Sequence, residues 1–246
     1  VRAIFTILLF FFAHTEAFAD LCTPELPKGE KCRVLIDEIL PTQFGVGMVD
    51  VRAKRVLLKG DEPKAYLKEN RAKIVIGPGG KYYLIDRHHL TRAAYAEGFT
   101  ETYAEIVDNL SAMDEAKFWQ TMQERKWVRL VDEAGATRAI NELPKHVRSL
   151  KNDPYRSLAW VLRQSEAFKK TDLPFAEFEW ADFFRTRITI GEGKEAWEAA
   201  VKEAIRLATE QKTAKLPGHE AVKPAMRQMV QAECWKRFQG FKFGSP

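Results

Sequence analysis

Asp86, Arg87, His88 and His89 stand side by side where an aromatic and aliphatic run, Lys81-Tyr-Tyr-Leu-Ile85, gives way to a helix-like one, Leu90-Thr-Arg-Ala-Ala94. A carboxylate, a guanidinium and two imidazoles at a strand-to-helix junction form a candidate oxyanion site. The first amides of a helix lack partners within it, and the positive end of the helix dipole lies there too. Imidazoles titrate near neutrality, so His88 or His89 is a candidate proton donor to a leaving oxygen. Asp86 is a candidate for orienting an imidazole or for holding a hydrated Mg²⁺ or Mn²⁺. Arg87 and the helix amides would grip phosphate oxygens. The competing structural reading makes Asp86 a helix cap and the imidazoles hydrogen-bonding parts of the turn. A transition-metal site that recruits the distant His146 or His219 is the weaker option, since adjacent histidines do not easily point at one ion.

Two elements must position these residues. Lys73-Ile-Val-Ile-Gly-Pro-Gly-Gly80 reads as a strand entering a tight turn, so the run from Lys81 is the second strand of a hairpin and delivers Asp86. The helix opened by His88 and His89 ends near Gly98. Upstream, Arg33–Asp37 reads as a first strand, residues 39–47 as a glycine-containing loop, and Met48–Leu58 as a helix by its apolar spacing. A further helix starts with Asp61 as cap and Pro63 in its first turn. Thr102–Val107 reads as a strand, and Ser111 opens a helix containing Phe118, Trp119 and Met122. Trp127–Val131 reads as one more strand. Tyr82 and Tyr83 alternate, which predicts one packed inward and one lining the site.

From Asp153 onward the pattern is nearly all helical: Pro154–Glu166, Pro174–Arg187, Lys194–Glu210 and Glu220–Phe238. Trp160, Phe178, Trp180, Phe183, Phe184 and Trp197 supply its packing mass. Arg156 and Arg163 share one helix face and reach either a cleft, as anion clamps, or intramolecular acids. The expected class is α+β: a small mixed α/β core over residues 20–110 and a mostly helical region over 111–246.

The chain has 246 residues, 46% of them hydrophobic, and a net charge of +5, which favours anionic partners without amounting to a nucleic-acid signature. Residues 1–19 read as a signal peptide. Arg2 precedes an apolar run through Phe12, and Ala17-Phe18-Ala19 offers a cleavage site before Asp20. A periplasmic or secreted protein without a membrane anchor is the expectation. In an oxidising compartment Cys22 and Cys32, which flank a turn-rich loop, are candidates for a disulfide, leaving Cys234 free.

The order of strand, Pro41-Thr-Gln43 loop, helices, hairpin and Ile85-Asp-Arg-His-His-Leu-Thr-Arg-Ala-Ala94 resembles the ParB/sulfiredoxin superfamily, closest to its branch of ParB-like nucleases. Asp153-Pro-Tyr-Arg-Ser-Leu-Ala-Trp160 and Phe175-Ala-Glu-Phe-Glu-Trp-Ala-Asp-Phe-Phe184 are similar to the same branch. The resemblance implies a nucleotide or nucleic-acid phosphate bound over the helix that begins at the motif. Asp86, His88 and His89 match the acid and imidazoles of the free-serine kinases in that superfamily. Two positions depart from the pattern: Arg87 stands where glycine is usual, and Leu90 where an arginine follows the second histidine. Arg87 or Arg92 would have to supply the missing cation.

The resemblance also narrows the chemistry. The sulfiredoxin nucleophile aligns with His88, so that activity is excluded. The kinase glutamate falls in the loop that here holds Gln43, with Glu38 upstream and Asp50 downstream, and an amide does not accept a hydroxyl proton. No helix-turn-helix signature supports centromere binding. The expectation is hydrolysis of a phosphodiester or phosphoanhydride of a nucleotide or nucleic acid. Asp86, His88 and His89 would be catalytic, with Arg87, Arg92, Thr42 and Gln43 on the phosphate. The alternatives are a periplasmic phosphate-ligand-binding module without catalysis and a nucleotide-dependent small-molecule kinase.

Overall fold

A computed structural model describes residues 20–208, 210 and 215–219. The expected Glu220–Phe238 helix, Cys234 and the 1–19 segment lie outside them. The elements in chain order are β1 (Lys31–Leu35), β2 (Ile39–Pro41), β3 (Gly45–Val46), α1 (Met48–Leu58), α2 (Pro63–Glu69), β4 (Ala72–Ile76), β5 (Tyr82–Asp86), α3 (His88–Ala96), β6 (Glu101–Asn109), α4 (Glu115–Glu124), β7 (Lys151–Asn152), α5 (Pro154–Gln164), α6 (Ala176–Arg185) and α7 (Gly193–Ala208). This is the α+β class. Among the described residues no helix is long and apolar enough to cross a membrane.

Five strands form a mixed sheet in the order β1-β6-β4-β5-β2, and β3 and β7 make a separate parallel pair. The β4–β5 hairpin is antiparallel, turning through Pro78–Gly80, where Gly79 and Gly80 both take φ values near +70° that other residues rarely adopt. Side chains alternate between faces along each strand. Ile74, Ile76, Leu84 and Ile106 pack on one face against Leu90, Ala93 and Ala94 of α3. Val75 and Tyr83 pack on the other against Phe118 and Met122 of α4. A sheet covered on both faces buries both tyrosines, which corrects the expectation that one of them lines the site. The Tyr82 hydroxyl donates to the Cys22 carbonyl at 2.8 Å, beside a Cys22–Cys32 disulfide that is present as expected.

Local chemistry moved several boundaries. The helix expected from Ser111 begins at Glu115, because the Asp114 carboxylate accepts the Lys117 amide at 2.8 Å and caps it. The helix expected from Asp61 begins one residue later, with Glu62 in the cap position. Trp127–Val131 is not a strand. Its backbone bonds run to Thr42 and into a turn organised by Asp132, whose carboxylate accepts the Ala134 and Ala136 amides, leaving only an isolated bridge from Val131 to Thr137. A β-prone stretch becomes a strand only where a partner offers a ladder.

The helical part packs Leu158, Trp160, Phe168, Trp180, Phe184 and Trp197 into one cluster, with Phe168 stacked on Trp180 at 4.3 Å between centroids. Val49 of α1 belongs to the same cluster, so α1 lies between the sheet and the helices that follow. The α5 start is capped by Asp153, which accepts the Tyr155 and Arg156 amides at 3.0 Å, with Pro154 at the first helical position.

Candidate functional site: a cationic cleft at the start of α3

The β5–α3 junction turns on Arg87, which caps α3 with φ +71° and ψ +23°, a left-handed conformation. That geometry explains why glycine is usual at this position, since a Cβ there costs roughly 1 kcal/mol. Asp86, one residue before the cap, accepts the Arg87 amide at 2.6 Å and leaves its side chain 68% exposed. The Arg87 side chain reaches the Asp86 carboxylate at 4.0 Å and lies close enough to perturb the Tyr66 phenol of α2. It is not part of the cleft wall described below.

Both imidazoles point inward. Thr42 N–H donates to His88 Nε2 at 3.3 Å, and Gly47 N–H donates to His89 Nε2 at 3.0 Å. The adjacent histidines thus hold the two ends of the 42–47 loop against α3. Thr42 is equally committed, its hydroxyl donating to the Leu84 carbonyl at 2.6 Å. Gly47 must be glycine for a separate reason: a Cβ there would sit 2.8 Å from the Ser157 backbone nitrogen of α5.

Burial sets the protonation state. It pushes His88 down to about 4, against the pull of Asp86 and the Leu84 carbonyl. Burial also lowers His89, helped by the nearby Arg156 and Lys54 charges. Each ring is neutral at pH 7 and uses its free nitrogen as an acceptor. In this arrangement neither is the imidazolium donor that the sequence suggested.

Next to these rings opens a cleft of about 630 Å³. Its floor is the β4–β5–β6 end of the sheet, where Lys73 has Asp86 and Glu105 as register partners on its two sides. Lys73 Nζ bonds Glu105 at 2.7 Å, and that bond holds the Glu105 carboxyl below its ordinary range. One rim carries Lys126 and Trp127; the far wall is the 168–178 stretch between α5 and α6. Gln43 also lines the cleft, with its amide donating to the Gly45 carbonyl at 2.8 Å.

Deeper in the cleft, Arg156 and Arg163 of α5 share Glu177 of α6, one guanidinium on each carboxylate oxygen. Burial pushes the Glu177 carboxyl up, but the two guanidiniums outweigh it and hold the group below the usual carboxylate range. Arg156 is 8% exposed and lies over the Phe178 ring, 5.3 Å from its centroid. Its Nε and Nη1 have no hydrogen-bond partner among the described residues. Arg156 thus places a largely buried positive charge in the cleft wall, with two of its donors left without a protein acceptor among the described residues.

The sequence-based candidates therefore separate. Asp86, His88, His89 and Gln43 come together at the cleft; Arg87 and Arg92 do not line it, and Arg92 instead lies near Tyr95 and Arg55. Lys73, Glu105, Lys126 and Glu177 were not anticipated, because each is an ordinary charge in its own stretch of sequence. Among the described residues no three His, Cys, Asp or Glu side chains converge as metal ligands. The Lys73 ammonium already pairs with Glu105, which leaves Asp86 as the exposed carboxylate at the junction, so these residues do not fit a cation held by protein groups alone. A larger hollow of about 1100 Å³ lies between α4 and the edge strand β2, lined by Leu40, Tyr83, Trp119 and Leu143, with no imidazole in it.

A ParB/sulfiredoxin-like core with a cleft at the motif helix defines the class. Residues 32–186 match the family described as "Putative ParB-like nuclease", and the chain belongs to that family. Among solved structures it is similar to protein Atu1540 from Agrobacterium tumefaciens, with 33% identity and a TM-score of 0.74, over 80% of this chain and 100% of that one. No curated protein matches the chain.

Proposed function

We propose that this protein binds a phosphate group of a nucleotide or nucleic acid in the cleft and hydrolyses a phosphodiester there. The observation that carries the reading is the placing of the Arg156 guanidinium, whose charge is only shared with Glu177, in the lining of the same cleft as the exposed carboxylate of Asp86. Arg156 and Lys73 hold non-bridging oxygens and offset charge as it builds on phosphorus. Asp86 accepts the proton of an attacking water, the new P–O bond forms, and the ester P–O bond breaks, with solvent protonating the leaving oxygen. His88 and His89 position the loop and the helix start instead of moving protons. Family membership supports the nuclease class.

The test is release of nucleotide or phosphate from oligonucleotides. Asp86→Asn should abolish turnover and retain binding, whereas Arg156→Met should weaken binding. Undiminished turnover in Asp86→Asn would rule the proposed chemistry out. A second reading, a binding module without turnover, is favoured by the commitment of both imidazoles to backbone amides. Binding with no turnover by the parent protein in any divalent metal would select it.

Action outside the cytosol belongs to the same proposal, and the Cys22–Cys32 disulfide supports it. Residues 1–19 fused to a reporter that is active only after export provide the check.

A further inference from the structure

We infer that the ligand of this cleft is a single-stranded polynucleotide, with one base stacked on Trp127; the inference rests on the phosphate-binding reading above. The lining interleaves cations with apolar surface. Lys126 and Trp127 form one rim, Lys170 and Phe175 stand on the other wall, and Ile85 and Val107 lie on the sheet between. Inorganic phosphate or polyphosphate makes no use of indole, phenyl and aliphatic surface. A nucleotide does, because each base has an apolar π-face.

Trp127 is built as a platform. Its amide donates to the Met122 carbonyl at 2.8 Å across the end of α4, where Lys126 takes φ +54°. The Arg125 guanidinium lies 4.8 Å from its ring centroid and is itself tied to Asp108 at 2.5 Å. The indole is half-buried and is held from its backbone and by a cation at its ring, while part of it faces the cleft. Phe175, which lines the same cleft, caps α6 with φ +61°, a conformation that bulky residues rarely adopt. Strain of this kind gathers at ligand clamps. Thr171, on the same wall, has a buried hydroxyl with no partner among the described residues.

The strandedness follows from where the bases are. In a duplex they are stacked on one another, and only their edges reach the grooves. Phosphates would then meet Lys73 and Arg156 with nothing for Trp127 to cover. An unpaired strand splays its bases onto aromatic side chains while its backbone follows the cations. A volume of about 630 Å³ suits a segment of nucleotide size.

The experiment is a fluorescence titration of the full chain with a short 5′-phosphorylated thymidine oligonucleotide, a blunt hairpin duplex of equal phosphate number, and tripolyphosphate. The single strand should bind about tenfold tighter than the hairpin and quench tryptophan emission. Trp127→Ala should weaken single-strand binding roughly tenfold. Trp127→Phe should keep most of the affinity and lose the quench, with an unchanged thermal melt showing that the fold persists. Equal binding of strand, hairpin and tripolyphosphate, with Trp127→Ala unaffected, would overturn the stacking inference and leave the phosphate reading standing. Binding of none of the three would overturn both.

Discussion

The Nε2 atom of His89 accepts the Gly47 amide at 3.0 Å, one residue after His88 does the same for Thr42 at 3.3 Å. Two neighbours on one helix turn satisfy both ends of a six-residue loop, residues 42–47, that would otherwise bury unpaired donors. Removing either ring leaves a buried N–H without an acceptor and a hole beside α3. His88→Ala and His89→Ala should each lower stability by about 1–3 kcal/mol in urea unfolding. A variant within about 0.5 kcal/mol of the parent would show that the loop does not depend on the ring.

The same burial makes stability depend on pH. Unfolded His88 takes up a proton near its ordinary value of 6.5, but the folded ring resists until about pH 4. The unfolded state therefore binds more protons across that interval, so the stabilisation from a neutral His88 is whole above pH 6.5 and is lost as pH falls toward 4. His89 acts in the same direction. Urea midpoints at pH 7, 5.5 and 4.5 should fall progressively, and the fall should be shallower in His88→Gln. Parallel slopes for parent and variant would contradict the assignment.

Glu177 balances two guanidiniums at once, Arg156 and Arg163. Glu177→Gln removes the charge and leaves both cations facing a largely buried wall. Stability should drop by about 2–4 kcal/mol, somewhat under the cost of breaking a fully buried pair because the side chains retain some exposure. Added phosphate should recover more melting temperature in Glu177→Gln than in the parent, since the oxyanion substitutes for the lost carboxylate. Equal phosphate effects would place the anion elsewhere.

Arg87 holds a left-handed backbone that glycine adopts freely. Arg87→Gly should raise stability by about 0.5–1 kcal/mol, while Arg87→Ala should not, because alanine retains the strained Cβ. Affinity for a phosphate ligand should stay nearly constant in Arg87→Gly, since the side chain is absent from the cleft wall. A large loss of binding would return the phosphate grip to this residue.

Much of this protein follows from short-range chemistry. The Gly77-Pro-Gly-Gly80 turn between two β-prone runs specifies the hairpin, and the hairpin places Asp86 at the mouth of a helix whatever surrounds it. The same locality misled at Trp127–Val131, where propensity predicted a strand but the Asp132 turn and Thr42 claimed the hydrogen bonds instead. Adjacent histidines announced a site, yet only packing decided that both rings would face inward as neutral acceptors, because residue type does not reveal burial. Arg156, Arg163 and Glu177 reach the cleft from helices some 70–90 residues beyond the motif. Their amphipathic spacing shows that they lie on helix faces, not which side chains those faces will meet. The sequence by itself determined the strand-to-helix junction and the residues that stand at it; folding the helical half over the sheet decided which cations line the cleft. Local backbone preference extends over a few residues, whereas the field that selects an anion is the sum of charges from the whole chain.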